Sequence, residues 1–397
     1  MAAPVLPPAK RKKEGPPRLE TSPLLPVAAA GWSALPPDLV RHVADSLLAT
    51  NDLDFYMDFR AVCSGWRAAT DDPRSDATDP RFRPRRWIVL DEVFQSQGKM
   101  LLLNTDSGRF LHRELPLLND HHVVATTRNG YLVLADKSPP HAVNVLNPLT
   151  RVVIRFVAPV PPKVGSAAVV FFDDSSPTLT LFCDSSHNVY TADLSDIGFD
   201  VLEGPGPEAE YDFFRKTVLA GVYADIEPAF HGVLDDLCSL LMSGDVAKFF
   251  PGGLPDATDL KWFPVGLGKH MLLVVNAEGS IFVLKKNIQI GKLVALDSIS
   301  NYAIFMGLQR CLAVDAEKFP GIEANCVYYI ENLGSSAHIC KCNIKNRKVE
   351  RISEAADFVK HGKQFVLVAD RPLTIIHLLS SYTINIPDSQ MALQQIP

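Results

Sequence analysis

From Arg85 onward the chain is a train of short apolar runs, each of four to seven residues and each ended by Gly, Asp, Asn, Ser or Pro. Trp87–Leu90, Met100–Leu103, Val123–Thr127, Tyr131–Ala135 and Ala142–Leu146 open the series, and Tyr302–Met306, Cys326–Ile330 and Gln364–Val368 fall near its end. Runs of this length at a spacing of about eight to twelve residues predict an all-β sandwich, barrel or propeller. The long helical patterns of βαβ units are missing, which argues against a doubly wound parallel sheet. About two dozen short strands are too many for one sandwich, so a propeller of about six four-stranded blades is expected. No strict repeat is visible, so the blades must be divergent. The unit is assigned to residues 85–385, with 386–397 as a tail. It is expected to stand alone when everything before about residue 83 is removed.

Residues 32–70 have a different period. Pro37 suits the first turn of a helix, where its missing N–H has no partner to lose. Asp38 in the same turn favours the positive end of the helix dipole. Leu39, Val43 and Leu47 recur at a spacing of four, and Val40 and Leu48 widen the stripe. Thr50 or Asn51 is expected to cap a second helix carrying Leu53, Phe55 and Tyr56. Phe59, Val62, Cys63 and Trp66 give a third apolar face. Residues 71–84 form a linker.

The two ends of this module, Leu35-Pro36-Pro37-Asp38-Leu39-Val40 and Val62-Cys63-x-x-Trp66-Arg67, resemble those of an F-box. The resemblance implies a three-helix module that binds a Skp-family adaptor and, through it, a cullin. The implied contact residues are Leu35, Pro36, Leu39, Val40, Val43, Val62, Cys63 and Trp66. A module this small buries little surface alone and leaves apolar side chains for a partner.

A second resemblance lies further on. The Gly130-Tyr131-Leu132 strand is followed by one ending in Leu146-Asn147-Pro148-Leu149-Thr150. Later, Ala303-Ile304-Phe305-Met306-Gly307 precedes Asn325-Cys326-Val327-Tyr328-Tyr329. These segments resemble plant F-box proteins with a KIB-type β-propeller. Asn147-Pro148 is a turn starter in its own right, so the motif marks the fold and not a chemistry.

The chain is 47% hydrophobic and carries a net charge of −6, which argues against general affinity for nucleic acid. No apolar run approaches the length that spans a bilayer, and the N-terminus lacks a signal-peptide core. Seven cysteines, most inside apolar runs, fit reduced thiols in the nucleus or cytoplasm. Residues 1–31 are Pro- and Ala-rich and are expected to be a disordered tail. Lys10, Arg11, Lys12 and Lys13 within it are a candidate nuclear import signal, or a chance cluster of charge.

Catalytic patterns are wanting. Gly204-Pro205-Gly206-Pro207-Glu208-Ala209 fits a dinucleotide-loop spacing, but its prolines remove two N–H donors and no helix follows. His338, Cys340 and Cys342 alternate on one strand without the paired Cys spacing of a zinc site. No P-loop, nucleophile elbow or kinase motif occurs. No metal or cofactor is therefore expected.

The implied function is a non-catalytic substrate receptor of a Skp–cullin–F-box E3 ubiquitin ligase. A propeller hydrolase or lyase with an incidental helical leader is the alternative, and a scaffold outside the ligase is a third. Target binding is expected on loops. Residues 203–212 and 251–269 read as such loops, and Tyr211, Trp262 and Phe263 are their candidate aromatic anchors. The competing reading, which the usual role of aromatics favours, makes them packing groups at blade ends that touch no partner.

Overall fold

The computed structural model describes residues 31–90, 99–161, 164–171, 176–183, 188–202, 248–250, 260–267, 270–277, 280–287, 289–307, 310–332, 337–353, 358–361, 364–367 and 374–384. A short 3-10 turn at Trp32–Ala34 leads into three helices, α1 (Pro37–Ala49), α2 (Leu53–Ala61) and α3 (Ser64–Ala69). An all-β propeller follows.

Five blades are present among the described residues, rather than about six. The first is β1 (Trp87–Val89), β2 (Lys99–Asn104) and β3 (Phe110–Glu114). The second is β4 (His121–Thr126), β5 (Leu132–Asp136), β6 (Ala142–Leu146) and β7 (Val153–Pro159). The third is β8 (Val164–Val170), β9 (Thr178–Cys183), β10 (Val189–Ala192) and β11 (Asp200–Leu202). The fourth is β12 (Leu260–Leu267), β13 (His270–Ala277), β14 (Ser280–Asn287) and β15 (Lys292–Ala295). The fifth is β16 (Tyr302–Met306), β17 (Cys311–Asp315), β18 (Cys326–Glu331), β19 (His338–Asn343) and β20 (Val349–Arg351). It runs in the order β17-β16-β18-β19-β20, and β16 and β18 are parallel. The count falls short because this sheet takes five strands and because β21 (Phe358–His361) and β22 (Gln364–Leu367) form only a hairpin.

The continuous apolar runs arise because each blade is buried on both faces. Alternate residues of a strand point to opposite faces. Trp87, Val89, Met100 and Leu102 therefore enter the core shared with blade 2, while Ile88, Leu90, Leu101 and Leu103 enter the core shared with blade 5. Blade 2 repeats this: Leu132 and Leu134 face blade 1, and Val133 and Ala135 face blade 3. Each large side chain so buried contributes about 1.5–3 kcal/mol. Blades 1 and 5 thus meet although they lie at opposite ends of the chain. Arg128, in the turn after β4, links blade 2 to blade 5 as well: its Nη2 donates to the Cys311 carbonyl at 2.6 Å.

One turn recurs between the last two strands of a blade. An Asn side-chain oxygen accepts two backbone N–H groups, and the residue four further on takes a left-handed conformation. Asn104 Oδ1 accepts from Asp106 (3.0 Å) and Ser107 (2.9 Å), with Gly108 at φ 72°. Asn147 Oδ1 accepts from Leu149 (3.0 Å) and Thr150 (3.2 Å), with Arg151 at φ 61°. Asn287 and Gly291, and Asn343 and Arg347, do the same in blades 4 and 5. This is the internal repeat that the whole sequence conceals.

Two local expectations need correction. Leu260–Leu267 is a strand, not part of a loop. Pro264 and Gly266 disguise it, and Pro264 is tolerated because β12 is the first strand of its sheet. The stretch Ile375–Ile384, within the region expected to be all-β, is a helix, α4. Its Ile and Thr residues favour strands. Burial on most sides overrides that preference, since Leu379 and Tyr382 enter the core between blades 1 and 5.

Candidate functional site

The helical module is docked, not loosely tethered. Ala44, Leu53 and Tyr56 share one core with Phe82, Trp87, Leu132 and Leu146. Its attachment points are polar as well. Tyr56 donates from its hydroxyl to the Asp71 carbonyl at 2.7 Å, and Asn147 Nδ2 donates to the Phe82 carbonyl at 2.7 Å. Propeller independence from residue 83 is therefore not what the packing implies.

Packing against α2, α3 and the turn at Pro80–Phe82 divides the apolar stripe of α1. Val40 and Ala44 turn inward, with Leu47 and Leu48 half-buried beside them. Leu39 is 53% exposed and Val43 42% exposed, and a spacing of four makes them neighbours on the helix surface. Val62, at the end of α2, is 58% exposed, and Trp32 is 79% exposed. Pro36 is also exposed, and Leu35 is half-buried.

The remaining candidate contacts hold the module together. Cys63 is the N-cap of α3, and its Sγ accepts the Trp66 N–H at 3.4 Å. Trp66 is buried with its ring 4.3 Å from that of Phe59. Val40 is fully inside. The second helix begins differently from the expected cap. Asp52 is the N-cap residue, Asn51 adopts a positive φ of 56°, and Thr50 Oγ1 donates back to the Leu47 carbonyl at 3.0 Å.

Of the target-binding candidates, Trp262 and Phe263 are buried in the core of blades 4 and 5 and offer no surface to a partner. Tyr211, the segment 203–212, and Lys10, Arg11, Lys12 and Lys13 lie outside the described residues.

The cysteine strand is packed among apolar groups. Cys340 and Cys342 lie in the core of blades 4 and 5, while His338 is only half-buried. Burial pushes the Cys340 thiol up to about 12 and Cys326 up to about 11. Such thiols are poor nucleophiles at neutral pH. Among the described residues, no group of three His, Cys, Asp or Glu side chains could hold a metal. No described helix is long and apolar enough to cross a membrane.

Comparison with known proteins gives a family match over part of the chain. Residues 241–349 match the KIB1-4 beta-propeller. The matched span includes blade 4 and most of blade 5. No curated protein matches the chain. Among solved structures, the WD40 domain of SCAP from fission yeast is similar at 12% identity, over 67% of this chain and 68% of that one. Its TM-score of 0.18 is too low to support any argument.

The motif residues around the match explain themselves physically. Asn325 Oδ1 accepts the Ile299 N–H at 2.9 Å, and its own backbone N–H donates to the Tyr302 carbonyl at 2.7 Å. It ties the loop before β16 to the start of β18. Phe305 and Tyr328 then stack at 4.7 Å across the parallel pair. Gly307 ends β16 where α4 passes so close that a Cβ would lie 2.1 Å from the Thr383 carbonyl oxygen. Only glycine fits there without moving the helix.

Proposed function

We propose that this protein is the substrate-recognition subunit of a Skp–cullin–F-box E3 ubiquitin ligase. The observation that carries the reading is the division of the module's apolar residues. The Leu-Pro start and Trp-Arg end resemble an F-box, and Leu39, Val43 and Val62 stay exposed while Val40, Ala44 and Trp66 are buried. Exposed apolar groups on a small docked module are what an adaptor-binding surface requires.

In this reading residues 32–70 bind a Skp-family adaptor and through it cullin, in the nucleus or cytoplasm. The β-propeller presents a target protein. The protein performs no bond chemistry of its own. It raises the effective concentration of charged ubiquitin near target lysines. The KIB1-4 match supports a propeller that acts as an interaction unit.

The test is co-expression of the full chain with a Skp-family adaptor. Co-elution as a stoichiometric complex in size-exclusion chromatography supports the reading, and separate elution at concentrations well above micromolar contradicts it. Affinity purification under proteasome blockade, with and without residues 32–70, then identifies targets as proteins that accumulate only when degradation is prevented.

A further inference from the structure

We infer that the seam between the helical module and blade 2 holds an anion site for a small phosphate monoester. A cavity of about 270 Å³ opens there, lined by Met57, Arg60, Arg67, Asp72, Pro73, Arg74 and Thr150. Three guanidinium groups and one carboxylate leave an excess of two positive charges on its wall. Guanidinium does not deprotonate in proteins, so this excess persists at every physiological pH.

The wall is built from fixed pieces. Arg60 is buried, and its Nη1 donates to the Thr70 carbonyl at 2.7 Å and to Thr70 Oγ1 at 2.9 Å, while also meeting the Asp71 carbonyl. Its Nη2 faces Asp72 at 3.2 Å. Asp72 Oδ1 accepts the Arg74 N–H at 3.0 Å, which shapes the loop that carries Arg74. Thr150 belongs to the Asn147 turn between β6 and β7. The cavity floor is therefore held from the helices on one side and from the propeller on the other.

Arg67 and Arg74 form no salt bridge among the described residues, so their charge is free for a ligand. The ligand class follows from charge and size. A doubly charged oxyanion matches the excess of two, and planar guanidinium forks bind phosphate oxygens two at a time. The volume is just below the range of drug-sized sites, which favours a phosphate on a short organic group over a nucleotide. An occupant would bridge module and propeller. The site does not depend on the adaptor reading.

Calorimetric titration of the full chain with phosphoserine, at constant ionic strength and about pH 7.5, tests this. Saturable binding at one site is expected, with acetate much weaker. The variant Arg67→Gln with Arg74→Gln should weaken phosphoserine by at least about tenfold, because charge-assisted bonds are lost. Its melting temperature without ligand should be unchanged, since both side chains are exposed. Binding should also weaken as pH falls below about 6, where the phosphate takes up its second proton. Absence of saturable binding, equal affinity for acetate, or equal affinity in the double variant would overturn the inference.

Discussion

The guanidinium of Arg109, at the start of β3's hairpin, is paired with the carboxylate of Asp54 on α2, whose side chain is 2% exposed. Asp52 lies 3.7 Å from the same nitrogen, and the guanidinium sits 3.7 Å from the ring centroid of Phe55. One residue of blade 1 thus meets the helical module through charge and through an aromatic face. Replacing Arg109 with Ala leaves a buried carboxylate uncompensated and should cost about 3 kcal/mol in chemical denaturation. Changing Arg109 and Asp54 together to Leu should recover part of this. A single variant as stable as the parent would show that the pair does not hold the module.

The shared core makes a stronger claim. Deleting residues 1–83 removes Ala44, Leu53, Tyr56 and Phe82 from contact with Trp87, Leu132 and Leu146. At about 1.5–3 kcal/mol for each large side chain, the propeller should lose several kcal/mol and become prone to association. Denaturant unfolding of the truncated protein should shift to a clearly lower midpoint. An unchanged midpoint would mean that the propeller stands alone.

Gly307→Ala drives a methyl group into the backbone of Thr383, an atom that cannot rotate away. Overpacking of this kind costs about 1–3 kcal/mol. Gly198→Ala meets nothing within 4 Å and should stay within about 0.5 kcal/mol of the parent. Equal melting temperatures for the two variants would contradict the close approach of β16 and α4.

Alkaline pH should destabilise the fold. Burial raises Cys311 and Cys340 from the ordinary value near 9 to about 12, and Cys326 to about 11. In that window the unfolded chain loses protons that the folded chain keeps. Stability is therefore full below about pH 9 and falls as pH rises toward 12. Urea midpoints should be nearly equal at pH 7 and 8 and should then decline in order at pH 9.5 and 10.5. A midpoint that is flat or rises would contradict buried thiols in these positions.

How far the sequence reached depends on which force decided each element. The strands are readable because burial on both blade faces demands continuous apolar runs such as Trp87–Leu90. The module's helices were readable from Leu39, Val43 and Leu47, but not which side would be covered. Packing of α1 against α2, α3 and the turn at Pro80–Phe82 decides that, and none of those partners is written in the helix's own pattern. Asn147 reads as a turn residue because Pro148 follows it, whereas its counterparts Asn104, Asn287 and Asn343 carry no such mark. The bond they share involves only the Asn oxygen and local N–H groups, so the intervening residues vary freely. Trp262 and Phe263 looked like loop anchors because Pro264 breaks the strand pattern, and β13 supplies the pairing that restores it. The arginine cavity was invisible because Arg60, Arg74 and Thr150 meet only after the module has docked.

The most direct test of the central claim uses Leu39 and Val43, which the fold leaves exposed. Changing both to Asp should leave the melting temperature within error, since neither side chain supports the core. Affinity for a purified Skp-family adaptor, measured by calorimetry, should fall by at least about a hundredfold, because two charges would replace apolar contact at the interface. Adaptor affinity equal to that of the parent, in a variant that is folded, would contradict the assignment of residues 32–70 as the adaptor-binding module.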